Sequence, residues 1–220
     1  MAGAKRPAAS QTLSRGLTAL EVLADAEASL SIDELTTRLG LHRSITYRIV
    51  RTLEDHGLVE RNAGGELEPG AALATLARNV SRDLRSAALP ELTALADELG
   101  MTTFLTTLDG EDAVVTLASV EPRTAAAVVA QRPGDRHPIN QGAPGRVLER
   151  QLRHEPSATA YETSHDEVIT GLSSVAVPLE APGQRPAALA VVYLTQPMDV
   201  AAIGAELDRA AHAVRDGLDG

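Results

Sequence analysis

The segment from Leu30 to Leu53 constrains the fold more than any other part of the chain, because two short helical patterns meet there at a glycine. Ser31 and Glu34 have the spacing of a capping box, in which the two residues satisfy each other's backbone N–H groups at the start of a helix. Gly40 follows apolar residues at helical spacing, a position where a left-handed glycine commonly ends a helix. The sequence therefore predicts two consecutive helices joined by a tight turn.

The second of these helices is apolar on one face and basic on the other. Its basic face on a helical wheel consists of Arg43, Ser44, Tyr47, Arg48 and Arg51. No Asp or Glu lies between Glu34 and Glu54, although the chain has a formal net charge of −10. Such a face suits the DNA major groove, where arginine contacts guanine edges or phosphates and hydroxyls bond to either. A helical hairpin with a solvated basic face would show the same pattern, so this segment alone leaves both interpretations open.

A β-hairpin is predicted directly after the second helix. Residues 58–61 and 66–68 have strand character, and Gly64 and Gly65 lie in the turn between them. A helix-turn-helix followed at once by a hairpin is the arrangement of a winged helix, which favours DNA binding. The candidate DNA-contacting residues are Arg15, His42, Arg43, Ser44, Thr46, Tyr47, Arg48, Arg51, Gly64 and Gly65.

Apolar stripes predict further helices on both sides of this unit. The stripe of the first helix consists of Leu13, Leu17, Leu20 and Leu23, so we expect a domain over residues 12–70 after a flexible tail at 1–11 that is not a signal peptide. A second stripe predicts a linker helix over 71–88, which Pro90 ends or kinks. This linker either pairs with a copy of itself in a dimer or docks on its own domain.

Charge is unevenly divided along the chain. The first 86 residues contain 11 Lys or Arg and 11 Asp or Glu, whereas the remaining residues contain 9 and 19. Because an acidic body is repelled by DNA, DNA contact is expected only from the first part.

The chain has no cysteine, and its six histidines lack the paired spacing of a zinc site. We therefore predict no metal, no cofactor, no catalytic residues, no membrane-spanning segment and a cytoplasmic location.

The second part of the chain, residues 89–220, is predicted to be an α/β domain, which makes the whole chain α+β. Strands are predicted at 101–108, 113–120, 124–131, 175–181 and 187–194, with a loop at 132–138 and a turn at 182–185. Helices are predicted at 91–99, 142–152 and 200–218.

Two features of this domain are candidate ligand contacts. The run from Gly142 to Gly145 opens a helix, where free N–H groups attract carboxylates or phosphates, although a plain helix entry has the same glycines. Asp166 and Glu167 either face a ligand or form a solvated turn. Ser173 and its neighbour Ser174 lack the G-x-S-x-G surroundings of a nucleophile, so hydrolysis is not predicted.

The chain resembles the IclR family of bacterial transcriptional regulators in residues 14–24, 30–61, 137–149 and 166–192. The resemblance implies a winged helix-turn-helix, a dimerising linker helix and a GAF-like effector domain. It also implies double-stranded operator DNA as a partner, assembly into a homodimer or tetramer, and an effector that is a small organic acid or aromatic. By the family's pattern, the effector contacts fall on Gly142, Ala143, Asp166, Glu167, Ser173, Ser174, Ala190 and Val192.

Two departures from the family pattern leave the effector open. Between Val147 and Tyr161 the chain lacks the length that the family usually devotes to a pair of helices, so the domain is shortened near 150–161 and its pocket is open, altered or lost. Ala190 and Val192 stand where some relatives have hydroxyls, which favours a less polar ligand or none. The alternatives are a DNA-binding regulator that senses no ligand and a ligand-binding or interaction module that does not bind DNA.

Overall fold

The computed structural model describes residues 10–125, 127–155, 159–180 and 185–218. They form two compact units, and the chain passes from one to the other between Val80 and Ser81. Residues 1–9 of the predicted tail and 182–184 of the predicted turn lie outside the described residues. Among the described residues, no helix combines the length and the apolar character needed to cross a membrane.

The N-terminal unit is a three-helix bundle with a β-hairpin, as the sequence predicted. In chain order its elements are α1 (Gln11–Ala24), α2 (Ile32–Leu39), α3 (Arg43–Asp55), β1 (Val59–Arg61), β2 (Leu67–Pro69) and α4 (Ala72–Ala77). The two strands are antiparallel, and Leu30 adds a further bridge to Leu67. The core consists of apolar side chains from the three helices and the hairpin: Ala19, Leu23, Leu30, Leu35, Ile49, Val50, Leu53, Val59 and Leu67.

The residues predicted to begin and end α2 do so in the structure. The Ser31 hydroxyl accepts the Glu34 N–H at 3.2 Å, and the Glu34 carboxylate accepts the Ser31 N–H at 2.8 Å. Gly40 ends the helix in the left-handed region with φ 61°. Because both ends of α2 are fixed by local hydrogen bonds and backbone geometry, the turn into α3 is well defined.

The predicted linker helix over 71–88 is not continuous, and this prediction was wrong. The chain leaves α4 at Ala77 and, after Ser81 in the left-handed region (φ 45°), enters α5 (Arg82–Leu99). Pro90 lies inside α5 and does not end it, so the helix predicted separately at 91–99 is part of α5. The helix continues through Pro90 because one face of it is buried, which offsets the lost backbone hydrogen bond. That face consists of Leu84, Ala88, Leu92, Leu95 and Ala96.

The C-terminal unit is an antiparallel sheet with helices on both faces. After α5, its elements are β3 (Thr102–Asp109), β4 (Ala113–Val120), β5 (Arg136–Pro138), α6 (Gly142–Arg153), β6 (Glu162–His165), β7 (Leu172–Leu179), β8 (Ala187–Leu194) and α7 (Val200–Leu218). The strand order is β5-β4-β3-β8-β7-β6. Helices α5 and α7 cover one face, and α6 covers the other. This arrangement confirms the predicted α+β class.

Side chains of the central strands alternate between two buried layers. In β8, Leu189 and Val191 join the core under α5 and α7, whereas Ala188, Ala190 and Val192 join the core under α6. Because both faces of the sheet are covered, these strands are apolar at nearly every position. The small alanines on the α6 side allow that helix to lie close to the sheet.

Two predictions about the sheet were wrong. None of the described residues in 124–131 is in a strand; the Thr102 hydroxyl instead bonds to the Val129 carbonyl at 2.6 Å and holds the segment against β3. The edge of β4 is paired by β5, which lies in the predicted loop 132–138. The sequence analysis also missed β6, an edge strand whose polar composition gives no apolar alternation.

Candidate nucleic-acid interface and ligand pocket

The basic face of α3 is exposed in the structure. All five side chains assigned to it from the helical wheel are solvent-accessible, namely Arg43, Ser44, Tyr47, Arg48 and Arg51. Tyr47 is 53% exposed, an unusual position for an aromatic side chain in a chain that has so few. The buried face of the same helix contributes Ile49, Val50 and Leu53 to the core. The helix therefore has the amphipathic geometry that major-groove recognition requires.

Thr46 corrects the list of candidate DNA contacts. Its side chain is fully buried and its hydroxyl lies 3.5 Å from the His42 carbonyl oxygen of the preceding turn. Thr46, Val50 and Leu53 follow one another at helical spacing on the core-facing side, so a groove on the opposite side is out of reach. His42 itself, the residue before α3, is exposed and forms no side-chain cap.

The three arginines of α3 have different surroundings. The Arg43 Nε lies 3.2 Å from an Asp33 carboxylate oxygen, and the two side chains are 64% and 67% exposed. Within the described part of the chain, Arg48 and Arg51 form no ion pair. Two of the three guanidinium groups therefore carry an uncompensated charge on the exposed face, and the third shares its charge with a carboxylate of α2.

The wing is tied to the end of α3 by one arginine. The Arg61 Nε bonds to a Glu54 carboxylate oxygen at 2.8 Å, and its Nη1 bonds to the Gly65 carbonyl at 2.8 Å. Within the turn, the Asn62 side-chain oxygen accepts the Gly64 N–H at 2.9 Å. Both glycines of the wing tip are exposed. These bonds fix the distance between the wing tip and α3.

Arg15 lies in a groove between α1 and α3 rather than on the α3 face. This groove has a volume of about 640 Å³, and Arg48 lies on its opposite wall. Two leucines of the predicted α1 stripe, Leu13 and Leu17, line it and are 62% and 51% exposed. Of the predicted stripe, Leu23 is buried in the core of this unit and Leu20 is partly buried against it.

The C-terminal unit contains a small cavity of about 60 Å³ where α6 begins beside β7 and β8. Five of the eight predicted effector contacts line it: Gly142, Glu167, Ser173, Ser174 and Val192. The other lining residues, which sequence reasoning did not select, are Phe104, Gln131, His137, Pro144, Ser164, Val168, Ile169 and Leu172. The walls are mostly apolar, with a few polar groups that converge on one small space, which is the usual composition of a ligand site.

Three predicted effector residues do not line this cavity. Ala143 and Ala190 are fully buried in the core under α6. Asp166 adopts φ 57° and accepts the Gly171 N–H at 2.6 Å, so its carboxylate shapes the loop before β7. Its other oxygen lies 3.0 Å from the His165 Nε2. Asp166 is therefore an organiser of the turn.

Two glycines at the start of α6 are required by close approaches of the chain. Gly142 adopts φ +75°, and a side chain there would meet Val168 at 3.1 Å. A side chain at Gly145 would lie 2.2 Å from the Ile139 carbonyl oxygen. Because no larger residue fits, the G-A-P-G run is a packing requirement of this corner.

The N-terminus of α6 is already bonded to a carboxylate of the chain itself. One Glu167 carboxylate oxygen accepts the Gly142 N–H at 2.9 Å and an Arg146 N–H at 2.6 Å. The hydrogen bond from Arg146 is the main cause that lowers the pKa of Glu167; burial opposes it, and the Gly142 bond assists. The carboxylate is therefore ionised at neutral pH. Arg146 also bonds to Glu162 and to the Thr163 carbonyl, so its own charge is compensated.

Ser173 and Ser174 differ although they are neighbours, because successive residues of a strand face opposite sides of the sheet. The Ser173 hydroxyl is 3.1 Å from the His165 Nδ1 and 2.9 Å from the Thr195 hydroxyl. Ser174 is 9% exposed, and its hydroxyl has no hydrogen-bond partner among the described residues. Ser174 is therefore a buried polar group of the cavity that is available to a ligand.

His137 is the other titratable group at the cavity. Burial is the main cause that lowers its pKa, and a 3.0 Å contact between its Nδ1 and the Pro138 carbonyl opposes the shift. The ring is therefore neutral at pH 7, which leaves Glu167 as the charged side chain among the residues lining the cavity. Elsewhere in the described ranges, no cluster of three or more His, Asp and Glu residues is placed to hold a metal ion.

Comparison with known proteins identifies both units. The IclR helix-turn-helix domain matches residues 12–63, and the domain described as bacterial transcriptional regulator IclR C-terminal matches residues 77–164. The HTH-type transcriptional regulator Rv1719 of Mycobacterium tuberculosis is 35% identical over 162 residues, which are 70% of this chain and 62% of that protein. The chain thus spans less than two thirds of the length of this relative. The relatives are transcriptional regulators rather than enzymes.

Solved structures share the fold over almost the whole chain. A transcriptional regulator of this type from Alicyclobacillus acidocaldarius superposes with a TM-score of 0.75 at 23% identity, covering 96% of this chain and 97% of the other. A homologue from Microbacterium hydrocarbonoxydans, solved with 4-hydroxybenzoate, superposes with a TM-score of 0.78 at 20% identity, covering 95% and 99%. These similarities extend the shared fold beyond residue 164, to the strands that line the cavity.

Proposed function

We propose that this chain, which belongs to the IclR family of bacterial transcriptional regulators, binds operator DNA in the cytoplasm through α3 and its wing and so controls transcription. One observation carries this proposal: α3 exposes Arg48 and Arg51 without a compensating carboxylate, on the face opposite its buried one. In a chain with a formal net charge of −10, an unneutralised basic face on a helix followed by a wing favours a polyanionic partner over a merely solvated surface.

The roles of the exposed residues follow from their positions. We assign Arg43, Ser44, Tyr47 and Arg51 to base edges, because they are exposed on the face of α3 that would enter the major groove. Arg48, the wing tip at Gly64 and Gly65, His42 and Arg15 supply contacts to the backbone or the minor groove. The bond between Arg61 and Glu54 sets the spacing between these two sets of contacts.

Assembly into a homodimer forms part of the proposal. Several large apolar side chains of the N-terminal unit are exposed, and they lie on α1 and around α4: Leu13, Leu17, Leu76 and Val80. A second copy that covers these side chains would pair two α3 helices on a pseudo-palindromic site. Light scattering on the purified chain measures the oligomeric state, and Leu17→Glu is expected to shift it toward the monomer.

The C-terminal cavity is proposed to bind a small organic ligand that modulates DNA binding. Five residues expected from the family pattern meet at this cavity, and a related structure was solved with an aromatic acid. A regulator without any effector is the second candidate, and the small volume of about 60 Å³ favours it. A ligand that binds only the native state must raise the melting temperature, so a thermal-shift panel separates the two.

Selection from a random DNA pool tests the central proposal. Purified chain should enrich a sequence motif with two similar half-sites about 10 base pairs, or a multiple of this, apart. Arg51→Ala should weaken binding to the selected site by roughly 10- to 100-fold, the cost of one good bidentate contact.

The matched control is Arg132→Ala, which removes an exposed arginine of the C-terminal unit and changes the net charge equally. It should leave DNA affinity within about twofold, since Arg132 lies outside the unit that is proposed to bind DNA. Failure to enrich any motif, or equal losses in Arg51→Ala and Arg132→Ala, would contradict DNA recognition by α3.

A further inference from the structure

We infer that the C-terminal cavity takes a small uncharged ligand that donates a hydrogen bond, such as a primary amide or an alcohol, in preference to a carboxylate. This inference deepens the proposed function, on which it rests, because it names the chemical class of the ligand. It differs from the organic acid that the family pattern suggests, and the difference comes from one side chain of this chain.

That side chain is Glu167, which occupies the place where an acidic ligand would bind. An exposed helix N-terminus attracts anions because its backbone N–H groups are unpaired. In this chain the Gly142 N–H at the start of α6 already donates to Glu167, and the nearby cation Arg146 does the same. An incoming carboxylate therefore meets a filled anion position, and the cation beside that position is already paired with Glu167.

The groups left for a ligand favour a donor. Both hydrogen bonds described for Glu167 end on the same oxygen, so its second oxygen, on a side chain that is 34% exposed, is available to accept a hydrogen bond. The Ser174 hydroxyl, buried and unpartnered at the same cavity, can donate or accept. Arg146 already offsets the charge of Glu167, and the neutral ring of His137 supplies no further cation to a ligand among the residues that line the cavity. A ligand with an N–H or O–H group satisfies both Glu167 and Ser174, whereas a carboxylate satisfies Ser174 alone.

The volume of the cavity limits the size of the ligand. A water molecule takes about 30 Å³ of liquid, so a cavity of about 60 Å³ holds roughly two waters. A ligand of a few non-hydrogen atoms fills it, and a larger one must extend past Val168 and Ile169, which line the cavity and are 46% and 57% exposed. Apolar walls that include Phe104, Leu172 and Val192 suit a short hydrocarbon portion on such a molecule.

Amide and carboxylate pairs of equal size isolate the effect of charge. Lactamide and lactate each have about six non-hydrogen atoms and one hydroxyl, and propionamide and propionate repeat the comparison without the hydroxyl. Titration of the full chain with each probe, followed by the backbone amide resonance of Gly142 in an NMR spectrum, measures affinity at the site itself. We expect the dissociation constant of each amide to be about tenfold lower or more than that of its carboxylate.

Variants assign the preference to the two side chains. Glu167→Gln removes the charge and should reduce the amide preference to about threefold or less, or reverse it, whereas Glu167→Asp keeps the charge and should keep the preference. Ser174→Ala should weaken lactamide binding about two- to tenfold. Its control is Ser119→Ala, which removes another hydroxyl without a described partner that is not among those lining the cavity; lactamide affinity should not change.

The outcomes separate this inference from the proposed function. Equal or tighter binding of the carboxylates to the unmodified chain, an amide preference that persists in Glu167→Gln, or no response of Gly142 to either amide would each overturn the inference. DNA binding by the same preparation is measured independently in a gel shift. A chain that binds DNA but shows no amide preference refutes only the ligand class, and a chain that prefers amides but binds no DNA refutes only the regulator.

Discussion

Removal of the Asp33 carboxylate is expected to tighten DNA binding, because it frees Arg43 on the face of α3. The Arg43 Nε lies 3.2 Å from Asp33, and side-chain exposures of 64% and 67% mean that water screens the pair strongly. Exposed pairs of this kind contribute about 0.2–1 kcal/mol. An arginine that must give up this pair to contact DNA loses that amount, so Asp33→Asn should raise affinity about 1.4- to 5-fold.

A double-mutant cycle measures this coupling directly. Fluorescence anisotropy titrations of a labelled operator would compare the unmodified chain, Asp33→Asn, Arg43→Ala and the double variant at about 0.1 M salt, where charges within about 10 Å still interact. We expect the gain from Asp33→Asn to disappear in the Arg43→Ala background, since no guanidinium remains to be freed. The gain should also decrease as salt is raised.

Two results would refute this reasoning. An equal gain in both backgrounds would mean that Asp33 only repels the phosphates and does not restrain Arg43. A loss of affinity in Asp33→Asn would mean that the pair orients the guanidinium for its contact with DNA, so that the carboxylate assists recognition. Circular dichroism of each variant serves as the folding control, because Asp33 lies in the first turn of α2.

Three further predictions concern stability. Ser31→Ala should lower the free energy of unfolding by about 1 kcal/mol in a denaturant titration, because it removes the cap of α2. Gly145→Ala should destabilise the C-terminal unit in thermal melts, because its new methyl group would lie 2.2 Å from the Ile139 carbonyl oxygen. Burial lowers the pKa of His137, so the unfolded chain binds a proton first and stability should fall as the pH drops below about 6.5; His137→Gln should reduce that dependence in melts at pH 5.5 and 7.5.

The N-terminal unit was predictable because its signals are local. The capping pair Ser31 and Glu34 is three residues apart, and Gly40 ends the same helix. The burial of Thr46 was missed because threonine is polar and was therefore assigned to the exposed face, although it lies on the core-facing side of α3. A threonine satisfies its hydroxyl within the preceding helical turn, so a buried position costs it little.

The errors in the C-terminal unit involve contacts between distant parts of the chain. Helix α5 continues through Pro90 because the core of its own unit buries one face of the helix. The sequence of the helix alone does not indicate this burial. The segment 124–131 is apolar enough for a strand, but the short β5 pairs with β4 instead. Different segments compete to pair with the same strand edge, and the local sequence pattern of one segment does not indicate which of them pairs.

The cavity shows where sequence reasoning about sites reaches its limit. Glu167 was selected from the sequence as a ligand contact, and in the structure it lines the cavity. Its bonds to Gly142 and Arg146 join residues 25 and 21 positions apart, and no local pattern indicates such a contact. The sequence also gives no indication that the Ser174 hydroxyl lacks a partner. Its neighbour Ser173 has the same side chain but is hydrogen-bonded.

The salt dependence of operator affinity tests the central claim most directly, since each phosphate contact proposed for α3 should contribute to it. The logarithm of the association constant should fall linearly with the logarithm of salt concentration, and Arg48→Ala should reduce the magnitude of the slope by about 0.9. A slope close to zero for the unmodified chain, or a slope that Arg48→Ala leaves unchanged, would contradict the claim that the exposed arginines of α3 exist to bind DNA.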